Sequence, residues 1–336
     1  PGAEVESSLF SFTAEWALPW FDTKLILSDQ ELDAFFVAAD FDGSATPLVS
    51  FISKKQVSLQ ETAELQIISN ENSPFSEHIE WVGGVFYLES SGGFDPLGFN
   101  VTATALPDAV GDVLDLVGVD LDTSITLFTG GVLVSESLAY YLQGTWFATD
   151  TIDFTAGVRY QEEERDLEKS RVTLGDQNNN EGTIIREDAD EDTPLLTSHQ
   201  LSPKFALQWR PLGDEIQFYA SASRAYKSPT YNTVGLLETP GSVEEERVDS
   251  YELGAKMELL GGALRLNTAA FYIDQKNLLT GFVALASGGI VTYDNAGSSE
   301  VSGAELDFLW SPMPNLNPGL VLSGAVTYLN TKYTDY

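Results

Sequence analysis

The order of the connections constrains this chain more than any other feature. About twelve stretches alternate apolar and polar side chains, and the links between them run short, long, short, long from one end to the other. "SLFSFTAEWAL" turns at "PWFD" into "TKLILS", "QVSLQETAELQIIS" reaches "HIEWVGGVFYLES" through "NENSPFSE", and "LAYYLQGTWFA" meets "DFTAGVRYQ" at "TDTI". "SPKFALQWR" meets "IQFYASASRAY" at "PLGD", "KMELLGGALRLNTAAFYI" hinges on two glycines, and "SGAELDFLWS" and "GLVLSGAVTYLN" flank "PMPNLNP". Between these hairpins lie the longer links Asp29 to Pro47, Ser90 to Ser135, Glu162 to Leu195, Lys227 to Arg247 and Gly281 to Asn295. Period two identifies strands. A Greek-key sandwich gives no reason for that order of links, whereas a barrel in a membrane keeps its turns on one side and its variable loops on the other.

The glycine hairpin shows what each face carries. Ala255, Met257 and Leu259 oppose Lys256 and Glu258, and Leu264, Leu266, Thr268, Ala270 and Tyr272 oppose Arg265 and Asn267. Leu260, Gly261, Gly262 and Ala263 suit a two-residue hairpin turn, which needs positive φ. No run approaches the roughly 18 consecutive apolar residues of a spanning helix. The expected fold is therefore all-β, a transmembrane antiparallel up-and-down β-barrel, here about twelve strands of a larger one. Its apolar face looks into lipid, and Lys256, Glu258, Arg265 and Asn267 look into a wet lumen. Trp16, Trp20, Trp146, Trp209, Tyr272 and Trp310 lie near strand ends, where girdles at the membrane interfaces belong.

Charge and motif content narrow the function. With 51 acidic against 17 basic residues the net charge is −34, which argues against nucleic acid and repels anionic headgroups. There is no cysteine, so disulfides and thiolate metal sites are out. His78 and His199 lie far apart, read as a turn and a loop residue, and no phosphate-binding, dinucleotide or nucleophile-elbow motif occurs, so no cofactor or catalytic residue is expected. Asp188, Asp190 and Asp192 imitate the start of a calcium loop, but Thr193 and His199 stand where Gly and Glu are required. Glu162 and Glu164 read as solvated charges rather than a glycosidase pair. Carboxylates at Glu162 to Glu164, Asp188 to Asp192 and Glu244 to Glu246 are candidates to share divalent cations with an anionic surface around them. Arg224, Tyr226, Lys227, Tyr231 and Asn232, where a strand rises into a long link, are candidate contacts for an anionic or ring-bearing ligand, with salt bridging to the surplus carboxylates as the alternative.

Several stretches resemble the barrel of TonB-dependent outer-membrane receptors: "FTAGVRYQEE", "LSPKFALQWRPLGDEIQFYASASRAYKSPTYN", "ERVDSYELGAKMELLGGALRLNTAAFYIDQKNL" and "NAGSSEVSGAELDFLWSPMPNL", in that order. The likeness covers most of Val57 to Asn330. It implies a barrel of about 22 strands around a plug. Residues 1–336 would be part of that barrel, with the five long links extracellular and the plug domain and C-terminal strands outside this chain. The resemblance also implies uptake of a scarce solute such as a metal chelate, cofactor or oligosaccharide. The partners it implies are outer-membrane lipid, lipopolysaccharide and a TonB-type energy-transducing protein that acts through an N-terminal segment absent here. A passive porin or surface scaffold, and a secreted β-rich enzyme, stay open as alternatives.

Overall fold

The computed structural model describes residues 3–40, 49–102, 124–175, 181–233, 235–236, 238–284 and 290–335, and among them there is no helix. The strands are β1 (Ala3–Ala17), β2 (Phe21–Asp40), β3 (Val49–Ser69), β4 (Ile79–Thr102), β5 (Ser124–Thr149), β6 (Ile152–Gly175), β7 (Glu181–Glu187), β8 (Leu196–Trp209) and β9 (Pro211–Asp214). They continue as β10 (Ile216–Lys227), β11 (Thr230–Tyr231), β12 (Ser242–Val243), β13 (Glu246–Leu259), β14 (Leu264–Lys276), β15 (Leu279–Ala284), β16 (Ile290–Asn295), β17 (Ser298–Trp310) and β18 (Leu322–Asp335). Twelve of them form one up-and-down antiparallel sheet, β1-β2-β3-β4-β5-β6-β8-β10-β13-β14-β17-β18, and β7 adds to β6. Two small ladders, β11 with β12 and β15 with β16, stand at the end where the long links lie.

Register carries one apolar face across the whole sheet, because directly opposed residues share a side. Phe12 pairs with Leu27, Leu27 with Ala63 and Ala63 with Tyr87; Tyr87 pairs with Leu138, and Val85 with Tyr140. The belt continues through Leu142–Val158, Ala156–Phe205 and Leu207–Ala220 to Leu253, Ala270, Ala304 and Tyr328. Nothing among the described residues covers it: Phe205 is 59% exposed, Leu253 63% and Val326 68%. Such a belt on one sheet needs a hydrocarbon solvent.

Aromatic rows edge the belt. Trp16, Trp146, Trp209 and Trp310 mark the short-turn end, with Trp146 stacked on Phe154 at 5.8 Å and Trp209 tilted against Phe218 at 5.5 Å. Tyr272 belongs to the opposite row, stacked on Tyr251 at 6.4 Å, with Tyr140 opposite Tyr160. Leu264 pairs with Trp310, and Tyr272 lies eight residues further along β14. That separation is ~27 Å along the strand and ~20 Å across a membrane after a tilt near 40°, close to the usual apolar band.

The strands outrun the links read from sequence. β2 continues to Asp40, β4 to Thr102, β5 begins at Ser124, and β6 reaches Gly175, so only 41–48, 103–123 and 176–180 of those links fall outside the described residues. The 281–295 link is largely the β15–β16 hairpin, and 227–247 contains β11 and β12. Above the lipid a ladder no longer needs one greasy side, so its alternation fades while its hydrogen bonds continue. Packed side chains gather there: Leu97, Phe99, Leu127, Phe128, Val132, Leu167, Val172, Leu236 and Val243 are buried. The glycine hairpin also differs from expectation. Leu259 pairs with Leu264, leaving four connecting residues, and Leu260 joins Gly261 and Gly262 at positive φ (56°, 63° and 86°).

Candidate functional site on the inner face

Opposite the belt, the alternate residues make a polar wall. Tyr141 donates to Glu64 at 2.6 Å, Tyr219 donates to Glu252 at 2.6 Å, and Asn267 donates to Asp307 at 3.0 Å. Arg159 lies over the Phe86 ring at 5.3 Å and Lys256 over Tyr219 at 5.8 Å. Two of these rings rest on glycines of the next strand. A Cβ on Gly254 would lie 2.5 Å from the Tyr219 ring, and one on Gly84 would lie 2.6 Å from the Tyr141 hydroxyl.

After β10 the chain turns inward, and its described residues 228–233, 235–236 and 238–241 lie as a strap against the inner side of β5, β6 and β7. Ser228 donates to Glu163 at 2.6 Å, and the same carboxylate receives Gln161 at 2.7 Å and Arg165 at 2.6 Å. Thr129 donates to the Gly235 carbonyl at 3.2 Å, Arg186 to the same carbonyl at 3.0 Å and to that of Glu238, and Thr239 to Asp188 at 2.8 Å. Asp188 also receives Ser170 at 2.6 Å and Arg186 at 3.1 Å, so this carboxylate is a buried strut. Gly131 permits the approach, since a Cβ there would come within 2.2 Å of the Thr233 carbonyl oxygen. Glycines inside the strand pattern of "FTGGVLV" are the sequence signal for a close backbone approach. Arg186, Asp188 and Thr129 carry no comparable signal, because their roles depend on contacts 49 to 106 residues away in sequence.

The candidate ligand residues separate. Arg224 and Tyr226 fall on the outward face, in register with Asp249 and Arg247, and Arg224 clamps Asp249 at 2.5 and 3.1 Å. Lys227 falls on the inner face opposite Glu246 and is exposed. Tyr231 and Asn232 are buried in the strap. Tyr231 donates to the Pro194 carbonyl, and burial, with the Asp166 carboxylate adding, pushes its phenol above the ordinary value. Asn232 donates to the Gly241 and Tyr293 carbonyls at 3.1 and 3.0 Å and accepts from the Tyr293 amide at 2.8 Å, so it ties the strap to β16.

Glu162 and Glu164 lie on the outward face with Glu163 turned in, and among the described residues no group of three or more His, Asp or Glu is placed to hold a metal ion. His199 stands in β8, 3.9 Å from Glu162, rather than in a loop. The described inner face offers hydrogen-bonding groups, charges and rings, the kinds of group that can hold a polar solute.

One antiparallel sheet with a lipid-facing belt, aromatic rims, a wet inner face and alternating turns and loops defines the wall of a transmembrane barrel, and its family membership and relatives place it in the outer membrane of a Gram-negative bacterium. The chain belongs to the TonB dependent receptor-like, beta-barrel family, whose pattern matches residues 6–336. Over 200 residues it is 30% identical to the pesticin receptor of Yersinia enterocolitica serotype O:8, a stretch covering 58% of this chain and 26% of that protein. The crystal structure of the ferric yersiniabactin uptake receptor FyuA from Yersinia pestis superposes with a TM-score of 0.69 at 17% identity, covering 99% of this chain and 43% of that one. The copper transporter OprC superposes at 0.68 and 12% identity, over 98% of this chain and 48% of that one. The match thus spans about a quarter of its curated relative and under half of these structures.

Proposed function

We propose that this chain supplies part of the wall of a plugged outer-membrane transporter that imports a scarce metal chelate of the siderophore type. The plug would come from the same protein outside this sequence, and a TonB-type protein of the inner membrane would supply the energy. The observation carrying this reading is family membership along almost the whole wall. The choice of a metal chelate over a cofactor or oligosaccharide is supported by the relatives, described as receptors or transporters for ferric yersiniabactin, siderophore, iron and copper. Within this chain, the exposed Lys227 on the inner face is the cation offered to an anionic chelate, and Tyr231 and Asn232 act indirectly by fixing the strap.

The test is growth and labelled-metal uptake in a receptor-deficient strain expressing the full-length protein, offered a panel of ferric and cupric chelates with and without an uncoupler. Saturable uptake of one chelate that stops with the uncoupler supports the proposal. Uptake that persists without the proton gradient and follows solute size alone would instead mark a passive porin.

A further inference from the structure

The outward surface has two unlike flanks just above the belt. On β2 to β6 the register lines up Asp29, Glu61, Glu89, Glu136 and Glu164 as direct cross-strand neighbours. On β10 to β18 the corresponding line is Arg224, Asp249, Asp274, Glu300 and Lys332, and Arg247 opposite Lys276 stands beyond it. Arg247 lies 3.4 Å from Asp249, Lys276 3.1 Å from Asp274 and Lys332 2.8 Å from Glu300. In every pair the acid is the more covered partner. The Asp249, Asp274 and Glu300 side chains are 11%, 22% and 28% exposed, against 36% for Arg224, 38% for Arg247, 43% for Lys276 and 59% for Lys332. The carboxylates lie along the sheet and the bases stand out from it, so the layer presented to the membrane is cationic. The Arg247 side chain is 38% exposed although its Nε is buried against Asp249, and each lysine has donors beyond its one carboxylate.

Below this ladder, on the same strands, the belt is hollow. Ala255, Thr268, Ala270 and Ala304 floor a groove of about 550 Å³, with Leu253 and Tyr328 among its walls. Four residues of strand, ~14 Å, separate Ala270 from Asp274. An apolar trough in a lipid-facing surface accepts an acyl chain, and outward cations one headgroup higher accept a phosphate.

We propose that this flank holds one lipopolysaccharide molecule, with an acyl chain in the groove and a lipid A phosphate on Arg247, Lys276 and Lys332. The assignment rests on the outer-membrane placement of the barrel and is independent of the solute carried. The acidic flank lacks these bases and offers the phosphate no purchase.

The test extracts the full-length receptor from outer membranes, exchanges detergent, and counts retained lipid by native mass spectrometry. About one lipid A-bearing molecule per receptor is expected. Retention should fall fivefold or more in Lys276→Glu/Lys332→Glu and in Ala270→Leu/Ala304→Leu, whose new side chains point into lipid. Heat-modifiable migration checks folding, and Lys332→Gln alone, expected to weaken retention partially, serves if a double variant does not fold. Added lipid A should rebind the wild type, and enzymatically dephosphorylated lipid A should not. Equal retention in all variants, equal rebinding of the phosphate-free lipid, or equal competition by cardiolipin overturns the proposal. Solute uptake should be unchanged in the groove variant, so its loss there would count against independence from transport.

Discussion

Exposure and solvent can be separated by placing the same charge at two depths of the belt. Phe205 and Leu201 are both on the outward face of β8, 59% and 53% exposed, so a protein in water would treat Phe205→Arg and Leu201→Arg alike, each within about 0.5 kcal/mol. Depth distinguishes them. Phe205 lies four residues from Trp209 of the lower rim and is opposite Ala156, whereas Leu201 is opposite Tyr160 in the upper rim. An arginine mid-belt costs about 2–4 kcal/mol and near an interface about 0–1 kcal/mol. Phe205→Arg should therefore lose at least about 1 kcal/mol more than Leu201→Arg, with Phe205→Leu as the reference for the lost ring. Ser223→Arg, exposed on the inner face, should be near neutral. The assay is denaturant unfolding of the full-length receptor refolded into phospholipid vesicles, followed by tryptophan fluorescence. Equal losses at positions 205 and 201 would refute the lipid-facing assignment.

Three further outcomes follow from the inner face. Gly254→Ala should force the Tyr219 ring off its seat and break its bond to Glu252, costing about 1–3 kcal/mol, read as a lower unfolding midpoint. Gly131→Val should lift the strap, because its Cβ meets the Thr233 carbonyl, and the check is faster proteolytic nicking within 228–241 at unchanged barrel migration. Arg186→Ala should cost about 2 kcal/mol, leaving Asp188 with only its Ser170 and Thr239 hydroxyl donors, and should expose the same cleavage sites.

The parts of this fold legible in sequence are those written by lipid. Alternation in "DFTAGVRYQ" or "LRLNTAAFYI" exists because one side meets hydrocarbon, and it stops where the membrane stops, so β2, β4, β5 and β6 were read short. The turn residues placed the hairpins but not their closing pair, since Leu260 adopts a conformation that its composition does not advertise. At the candidate site, "SRAYKSPTYN" spans the end of β10 and the chain that follows it. The two faces of a strand then divide its residues, and parity counted from Leu253 and Ala220 already puts Arg224 outside and Lys227 inside. The net charge of −34 is silent on distribution, and register is what shows Arg224, Arg247, Lys276 and Lys332 sharing the β10 to β18 flank.

The rings seated on glycines bear on how the strands find their alignment. A slip of one residue turns every side chain to the wrong face, but a slip of two leaves greasy and wet sides intact, so hydrophobicity alone cannot forbid it. The Phe271 ring sits likewise on Gly303, whose added Cβ would lie 2.6 Å from it. Displaced by two, Tyr219 would land on Glu252 or Lys256 instead of Gly254, Tyr141 on Val82 or Phe86 instead of Gly84, and Phe271 on Val301 or Glu305 instead of Gly303. Each ring thus works as a detent, and three of them spaced around the wall penalise the one sliding error that the membrane itself would overlook.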